Sequence, residues 1–435
     1  MWGRIFRKCA TDVQRPIELK RNLTNMFLAA TICWPAFKFS YIMPNYIENQ
    51  QQYADNISMY KRILNLQTAI KKKSHFLFGP RATGKSWLIK HDLPDAQVFD
   101  LLDSSTFARF LRRPAALAEE INRKFVVIDE VQKLPSLLDE VHRLIESRKI
   151  HFLLTGSSAR KLKHGGANLL AGRARSLQMF PLTTQELPDF SLEKYCNVGG
   201  LPIIYQSDEP WLELKEYINL YLKEEIIAEA IVRKIDHYAR FIDVIGQRSG
   251  EELNYQSIAD DSGVPPRTVA NFIEILKDTL LAFELEPYRK TKKRKVVSKS
   301  KIYMFDVGVA NYLAGRKNIL LRSEAFGKAF EHFIIQELSA YIGYNQLDGA
   351  MTYWRTTTGQ FEVDCIVGDD VAIEIKSSGS FNEKMLTGLL ALKEEQKIKR
   401  YILITRDPVA RKSNGIDVMS YQTFLENLWG GKILT

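Results

Sequence analysis

Three short runs of consecutive apolar residues stand out in the first half of the chain: His75 to Phe78, Phe125 to Ile128 and Phe152 to Leu154. Runs of that length without alternation mark strands buried on both faces, as in a parallel sheet. Helical spacing surrounds them. The stretch MYKRILNLQTAIKKK predicts a helix starting at Met59. Glu213 to Ile235 repeats Leu214, Ile218, Tyr221, Leu222 and Ile226 at intervals of three and four, which predicts a helix with one core face. Then NYQSIADDSGVPPRTVANFIEILKDTLLAFEL predicts a helix over Tyr255 to Asp261 and a turn at Gly263-Val264-Pro265-Pro266. A second helix is predicted over Arg267 to Leu276, with Val269, Phe272, Ile273 and Leu276 inward. Two strand-like pieces flank RKTKKRKVVSKSK, which predicts a wing. Further on, Tyr353 to Arg355 and Val363 to Val367 predict strands joined by a turn at Thr358-Gly359. Val371 to Ile375 predicts a third strand, Asn382 to Gln396 an amphipathic helix, and Tyr401 to Thr405 a last core strand. The whole pattern predicts an α/β protein: a parallel-sheet domain, then helical and winged modules, then a second α/β domain.

Size and charge sharpen this. A chain of 435 residues suggests roughly three domains. With 45% hydrophobic and 26% charged residues, a mostly disordered chain is excluded. Cys9, Cys33, Cys196 and Cys365 are scattered without a CxxC pair, which argues against a disulfide scaffold or structural zinc and suits a reducing, cytoplasmic setting. The longest apolar run, Met26 to Phe37, is too short to span a membrane and is broken by Pro35, so no membrane association is expected. The basic stretch before it loosely resembles a targeting segment, and residues 1–58 are set apart as a leader of uncertain status. The net charge of +10 points to a polyanion if the excess is clustered. It is: Arg289, Lys290, Lys292, Lys293, Arg294, Lys295, Lys299 and Lys301 crowd the wing with no acid among them, which makes DNA the expected partner. The competing expectation is a solvated hairpin that contacts protein.

The first candidate chemistry is HFLFGPRATGKSWLIK. A strand runs into Gly79, Pro80, Arg81, Ala82, Thr83, Gly84, Lys85 and Ser86, then a helix, which is GxxxxGK[ST] in its strand–loop–helix context. The glycines let the backbone aim N–H groups at phosphates, and the helix N-terminus adds its partial positive charge. Lys85 is expected to reach the β- and γ-phosphates of ATP, and Ser86 to ligate Mg²⁺. In KFVVIDEVQKLP the strand ends in Asp129 and Glu130. Asp129 is expected to hold Mg²⁺ and Glu130 to polarise the attacking water. In HFLLTGSSARKL, Thr155, Ser157 and Ser158 stand at a strand end, where a hydroxyl would sense the γ-phosphate or simply cap a helix.

GPRATGKS, VVIDEVQKLP, LLTGSSARKL and LAGRARSLQMFPLTTQEL, in that order, resemble the AAA-type ATPases of bacteria and archaea that carry a C-terminal domain of unknown function, family 4143. The resemblance runs from about Met59 to the C-terminus and implies an ATPase over 59–186. In that family the segment Ala171-Gly172-Arg173-Ala174-Arg175 recurs, which makes Arg173 and Arg175 candidates for contact with nucleotide or a neighbouring subunit. AAA-type sites are often completed by a neighbouring subunit, so a homo-oligomer is compatible with the resemblance. Residues 187–315 then form the helical and winged region.

The last part, residues 316–435, carries YWRTTTGQFEVDCIVGDDVAIEIKSS. Asp364, nine residues, Glu374, one residue and Lys376 resemble the PD-(D/E)xK nuclease core, although no Pro precedes Asp364. Carboxylates on neighbouring strands would share a divalent cation, Mg²⁺ or Mn²⁺. Lys376, two residues from Glu374, would share its face of the strand and position water. Glu331, on the preceding helix, is a further candidate metal ligand. Two functions remain open on the sequence. One is an ATPase acting on or at DNA, with a domain that cuts or merely grips. The other is an ATP-controlled switch whose C-terminal domain is an inactive scaffold.

Overall fold

The apolar runs of the first half become the strands of a five-stranded sheet in a computed structural model of the chain. It describes residues 60–158, 170, 172–219, 235–291, 293–395 and 398–434. The expected leader lies outside the described residues. The strands are β1 (Ser74–Phe78), β2 (Gln97–Asp100), β3 (Phe125–Asp129), β4 (His151–Gly156) and β5 (Ala174–Gln178), in spatial order β2-β3-β4-β1-β5. All neighbours pair in parallel. Helices α1 (Leu66–Lys72), α2 (Lys85–Asp92), α3 (Ser104–Arg112), α4 (Ala116–Glu120) and α5 (Leu137–Arg148) complete this part.

Alternate residues of one strand serve opposite faces. Phe76, Val126, Ile128, Phe152 and Leu154 pack with Leu137, Val141 and Leu144 of α5. Leu77, Val127, Leu153 and Leu177 pack with Leu66 and Ile70 of α1 and with Leu88 and Ile89 of α2. The first helix begins at Leu66, not at Met59. Asn65 is extended and its side-chain oxygen accepts from Thr68 N at 2.8 Å, so the helix starts at that cap. The residues before it run as irregular chain into the core.

Helices α6 (Leu192–Val198), α7 (Pro202–Gln206) and α8 (Pro210–Tyr217) follow. Leu214 and Ile218 of the long predicted helix are buried, while residues 220–234 lie outside the described residues. Next come α9 (Ile235–Gln247), β6 (Glu251–Glu252), α10 (Tyr255–Ser262) and α11 (Pro266–Asp278). Gly263 ends α10 at φ 64°, a left-handed position that favours glycine, and Pro266 opens α11 at its first turn. Val269, Phe272, Ile273 and Leu276 are buried as their spacing predicts.

β7 (Ala282–Pro287) pairs antiparallel with β8 (Lys301–Met304), and β8 pairs with β6. β7 also pairs in parallel with β9 (Met351–Arg355), which fuses this region to the last part of the chain. The second sheet therefore has nine strands in the order β13-β14-β12-β11-β10-β9-β7-β8-β6. Its other members are β10 (Glu362–Val367), β11 (Val371–Ile375), β12 (Arg400–Thr405), β13 (Arg411–Ser413) and β14 (Ile416–Ser420). Helices α12 (Val307–Leu313), α13 (Glu324–Asn345), α14 (Thr387–Glu395) and α15 (Tyr421–Trp429) flank it. Phe326, Phe330, Phe333, Ile334 and Leu338 of α13 are fully buried. No helix among the described residues is long and apolar enough to cross a membrane.

The basic segment between β7 and β8 is not a free wing. Tyr288 N donates to Tyr353 O at 2.7 Å and Val297 N to Arg355 O at 3.0 Å, and Val296 bridges to Thr356. Acids far away in sequence neutralise part of its charge. Lys290 pairs with Asp369 at 2.7 Å, Arg294 with Glu394 at 2.7 Å and Glu395 at 2.9 Å, and Lys301 with Glu362 at 2.7 Å. Arg289, Lys293, Lys295 and Lys299 remain exposed, and Lys292 lies outside the described residues.

Candidate functional site

The loop after β1 makes a cradle for an anion. A Cβ on Gly79 would lie 2.7 Å from Met179 O, so only glycine lets the loop pass that close. Gly84 turns at φ 92° and Ala82 at φ 60°, and Lys85 then opens α2. The Lys85 ammonium donates to Gly79 O at 2.6 Å and Pro80 O at 3.0 Å, while Ser86 is exposed at the helix start. The loop is also held from outside. Tyr217 of α8 donates to Arg81 O at 3.4 Å, and the Thr83 hydroxyl donates to Pro80 O at 2.8 Å.

The strongest outside hold comes from Arg62, which pattern reading treated as part of a helix. Its guanidinium is buried and donates to Thr83 O at 3.0 Å, Phe180 O at 2.7 Å, the Tyr344 hydroxyl at 2.8 Å and Glu186 Oε1 at 2.9 Å. Phe180 packs edge-on against Tyr344 near the end of α13, and a Cβ on the preceding Gly343 would lie 2.5 Å from the Phe180 ring. One residue thus ties the phosphate loop to the helix that runs under the second sheet. The only sequence signal was an arginine inside a stretch of helical periodicity.

Asp129 and Glu130 stand at the carboxyl end of β3, beside the loop. The Thr155 hydroxyl donates to the Asp129 carboxylate and accepts from Glu130 N at 3.2 Å. Burial raises the Asp129 pKa, with Glu130 and Asp100 pushing the same way, while the Thr155 bond and the nearby Lys85 charge oppose them. Glu130 sits at φ 57°, and its carboxylate accepts from the Gln132 amide and, at 3.5 Å, from the Ser157 hydroxyl. Gln132 also donates to Ser157 Oγ at 3.2 Å. Ser158 instead faces α11, donating to Asp278 O at 3.5 Å. The donors present, a hydroxyl on Ser86 and a carboxylate on Asp129, are the hard oxygens Mg²⁺ takes, and the glycine cradle suits a triphosphate. Arg173 is not brought here. It precedes β5, whose Ala174 pairs with Ser74 at the start of β1, the opposite end of the sheet from Gly79, and it pairs with Glu146 of α5. Sequence order alone did not reveal that a strand length separates it from the loop. Ala171 lies outside the described residues.

The second cluster lies between α13 and the nine-stranded sheet. Asp364 of β10 and Glu374 of β11 are each 5% exposed. Lys376 lies 2.5 Å from Glu374 Oε1 and 3.9 Å from Asp364 Oδ2, and Ile375 N donates to Asp364 Oδ2 at 2.7 Å. Burial, reinforced by Glu331, pushes the Asp364 carboxyl up to about 6, and burial with Asp364 pushes Glu374 well up. Glu331, close enough to Asp364 to act on its charge, accepts from Tyr303 at 2.6 Å and pairs with Lys301 at 3.4 Å. Burial pushes Glu331 upward, but Lys301 and the Tyr303 bond outweigh it and leave its pKa lowered. Of the expected metal ligands, Asp364 and Glu374 lie side by side on neighbouring strands, while Glu331 is engaged by Lys301 and Tyr303. No group of three or more His, Cys, Asp or Glu side chains among the described residues is placed to hold a metal ion. Lys301, expected in a basic wing that contacts DNA, is instead buried against Glu331 and Glu362.

Residues 71–188 match the AAA domain family. The nucleotide part of the chain is thus AAA-type and ATPase-like. Residues 189–319 match a domain of unknown function, DUF8612, and residues 326–424 match another, DUF4143. Uncharacterized proteins of Mycobacterium bovis and Mycobacterium tuberculosis are each 25% identical over 331 residues, 73% of this chain and 73% of the relative. An uncharacterized protein of Haemophilus influenzae is 23% identical over 237 residues, 49% of this chain and 58% of its own length. Among solved structures, a STAND signal-transduction ATPase with a tetratricopeptide repeat sensor from Pyrococcus horikoshii is 12% identical. It overlaps 66% of this chain and 48% of its own at a TM-score of 0.20. A protein from Vibrio cholerae is 13% identical, overlapping 82% and 96% at 0.19. Overlaps this loose carry no argument about fold or function.

Proposed function

We propose that this protein hydrolyses ATP and passes the state of its phosphate loop to the C-terminal α/β part, as an ATP-controlled switch. The observation that carries this is Arg62, whose one guanidinium holds both Thr83 O in the loop and Tyr344 on α13. In this scheme the backbone N–H groups of Gly79 and of Arg81 to Ser86, with the Lys85 ammonium, bind the phosphates, and Ser86 and Asp129 would hold Mg²⁺. Glu130, positioned by Gln132 and Ser157, takes the proton of the attacking water, and Thr155 reports the γ-phosphate to both acids. Lys85, which donates to the carbonyls of Gly79 and Pro80, would exchange those bonds for phosphate oxygens.

The test is phosphate release by the full chain with ATP and Mg²⁺, alongside Lys85→Ala and Glu130→Gln. Hydrolysis lost in both, with nucleotide binding kept only in Glu130→Gln, supports the assignment. A wild-type chain that binds no ATP defeats it. A second function rests on the order helix, strand, helix, helix, strand, strand over residues 235–304, which supports a winged-helix module. We propose that Arg289, Lys293, Lys295 and Lys299 let it touch DNA. If about four phosphates are neutralised, affinity falls about a hundredfold between 50 and 200 mM salt. Duplex binding that ignores salt sends the module to a protein partner instead.

A further inference from the structure

The C-terminal acid cluster already contains a cation. Four carboxylates gather there: Glu331 from α13, Glu362 and Asp364 from β10, and Glu374 from β11. Lys301, the first residue of β8, is only 4% exposed. Its Nζ lies 2.7 Å from Glu362 Oε1, 3.4 Å from Glu331 Oε1 and 5.3 Å from the centre of the Tyr353 ring. Its backbone is fixed by pairing with Leu285 on one side and Glu252 on the other, so the strand register aims the side chain inward. Tyr303, two residues on and therefore on the same face, donates to the same Glu331 oxygen at 2.6 Å.

A magnesium or manganese ion at this cluster would need oxygens about 2.1 Å away. An ammonium between Glu331 and Glu362 takes two of the four carboxylates. Lys376 takes the other two. Arg355 adds a guanidinium 3.6 Å from Glu362 Oε2 and 3.2 Å from Glu252 Oε1. Adding a divalent ion beside these cations would set like charges against one another in a poorly solvated site, where they interact strongly.

We propose that the Lys301 ammonium is the resident cation on the Glu331–Glu362 side of this cluster, as Lys376 is on its Asp364–Glu374 side. The cluster is then an ion-paired seam that fastens β8 to α13 and β10, and it does not cut phosphodiesters. This assignment stands or falls apart from ATP hydrolysis, because Lys301 touches no part of the phosphate loop.

The test is a Mn²⁺ titration of the nucleotide-free full chain followed by electron paramagnetic resonance, with plasmid cleavage scored in parallel. The wild type is expected to bind no Mn²⁺ tighter than about 100 µM, the weak end of carboxylate sites, and to leave DNA intact. Lys301→Met is expected to gain one Mn²⁺, and its melting temperature to rise with added Mn²⁺. Stoichiometric binding or cleavage by the wild type that is lost in Glu374→Gln would overturn the proposal. So would a folded Lys301→Met that stays indifferent to Mn²⁺. If Lys301→Met does not fold, the wild-type titration decides alone.

Discussion

Replacing Arg62 with methionine tests how tightly the phosphate loop is tied to the rest of the molecule. Methionine keeps much of the stem and removes only the guanidinium. Glu186, whose side chain is fully buried, would lose its ion-pair partner. Breaking one side of a buried pair costs about 3–5 kcal/mol. Glu186 still accepts from Ile63 N at 2.8 Å and Thr183 N at 3.0 Å, which places the loss near the lower figure. Thr83 O, Phe180 O and the Tyr344 hydroxyl would each lose a charged donor as well. For a unit of this size a loss of about 3 kcal/mol lowers the melting temperature by about 4 °C. The loop consequence is separable from the stability consequence. With Thr83 O released, the loop pays the ordering cost when ATP binds, so KM for ATP should rise about tenfold, equivalent to about 1.4 kcal/mol, with kcat changed less. Tyr344→Phe probes the same link from the far side. It keeps the ring on Phe180 but loses the hydroxyl, and it should raise KM by a smaller factor although Tyr344 lies on α13. Thermal melts with and without ADP, and phosphate release across an ATP series, measure both. An Arg62→Met protein with wild-type melting temperature and KM would refute the reasoning.

Three more outcomes follow from the geometry. Gln132→Ala should lower kcat about tenfold with KM little changed, because it frees the Glu130 carboxylate, and steady-state kinetics reads the split. Arg173→Ala should leave nucleotide binding by a single chain unchanged, which equilibrium binding measures; a large loss would mean a second copy brings that arginine to the site. Burial pushes the Glu337 carboxyl up to about 7, against bonds from Thr184 and Trp429. A folded-state pKa above the unfolded value gives stability that is full below about 4.5 and lost as pH rises through 7. That amounts to about 3 kcal/mol between those limits. Glu337→Gln should flatten that slope in urea melts between pH 5 and 8.

Legibility differed sharply between the two halves of the candidate chemistry. The phosphate loop and the strand ends at Asp129 and Thr155 could be read because local sequence determines them: glycine spacing, an apolar run and the acid that ends it. The helix-turn-helix pair was legible for the same reason, through Gly263, the two prolines and the period of α11. What could not be read were relations between distant segments. Lys301 looked like the end of a solvated basic run because Glu331 and Glu362 come from elements 30 and 61 positions later. Arg294 looked available to DNA because Glu394 and Glu395 lie on α14. Arg62 looked helical because its periodicity fits, whereas Asn65 sets the true start. Arg173 was a candidate because its segment recurs in the resembled family, yet a parallel strand runs from it toward the loop.

The parallel pairing of β7 with β9, Glu286 beside Thr352 and Pro287 beside Tyr353, has a practical consequence for anyone cutting this chain. The two matched regions of unknown function meet between residues 319 and 326, which invites expression of the last hundred residues alone. Such a fragment would lose the neighbour of β9 and bare a strand edge beside Tyr353 and Trp354, a template for intermolecular pairing. The smallest transferable piece on this side of the molecule starts before Gly250 and ends after α15, and a graft that swaps only one of the two regions would split a single hydrogen-bonded sheet.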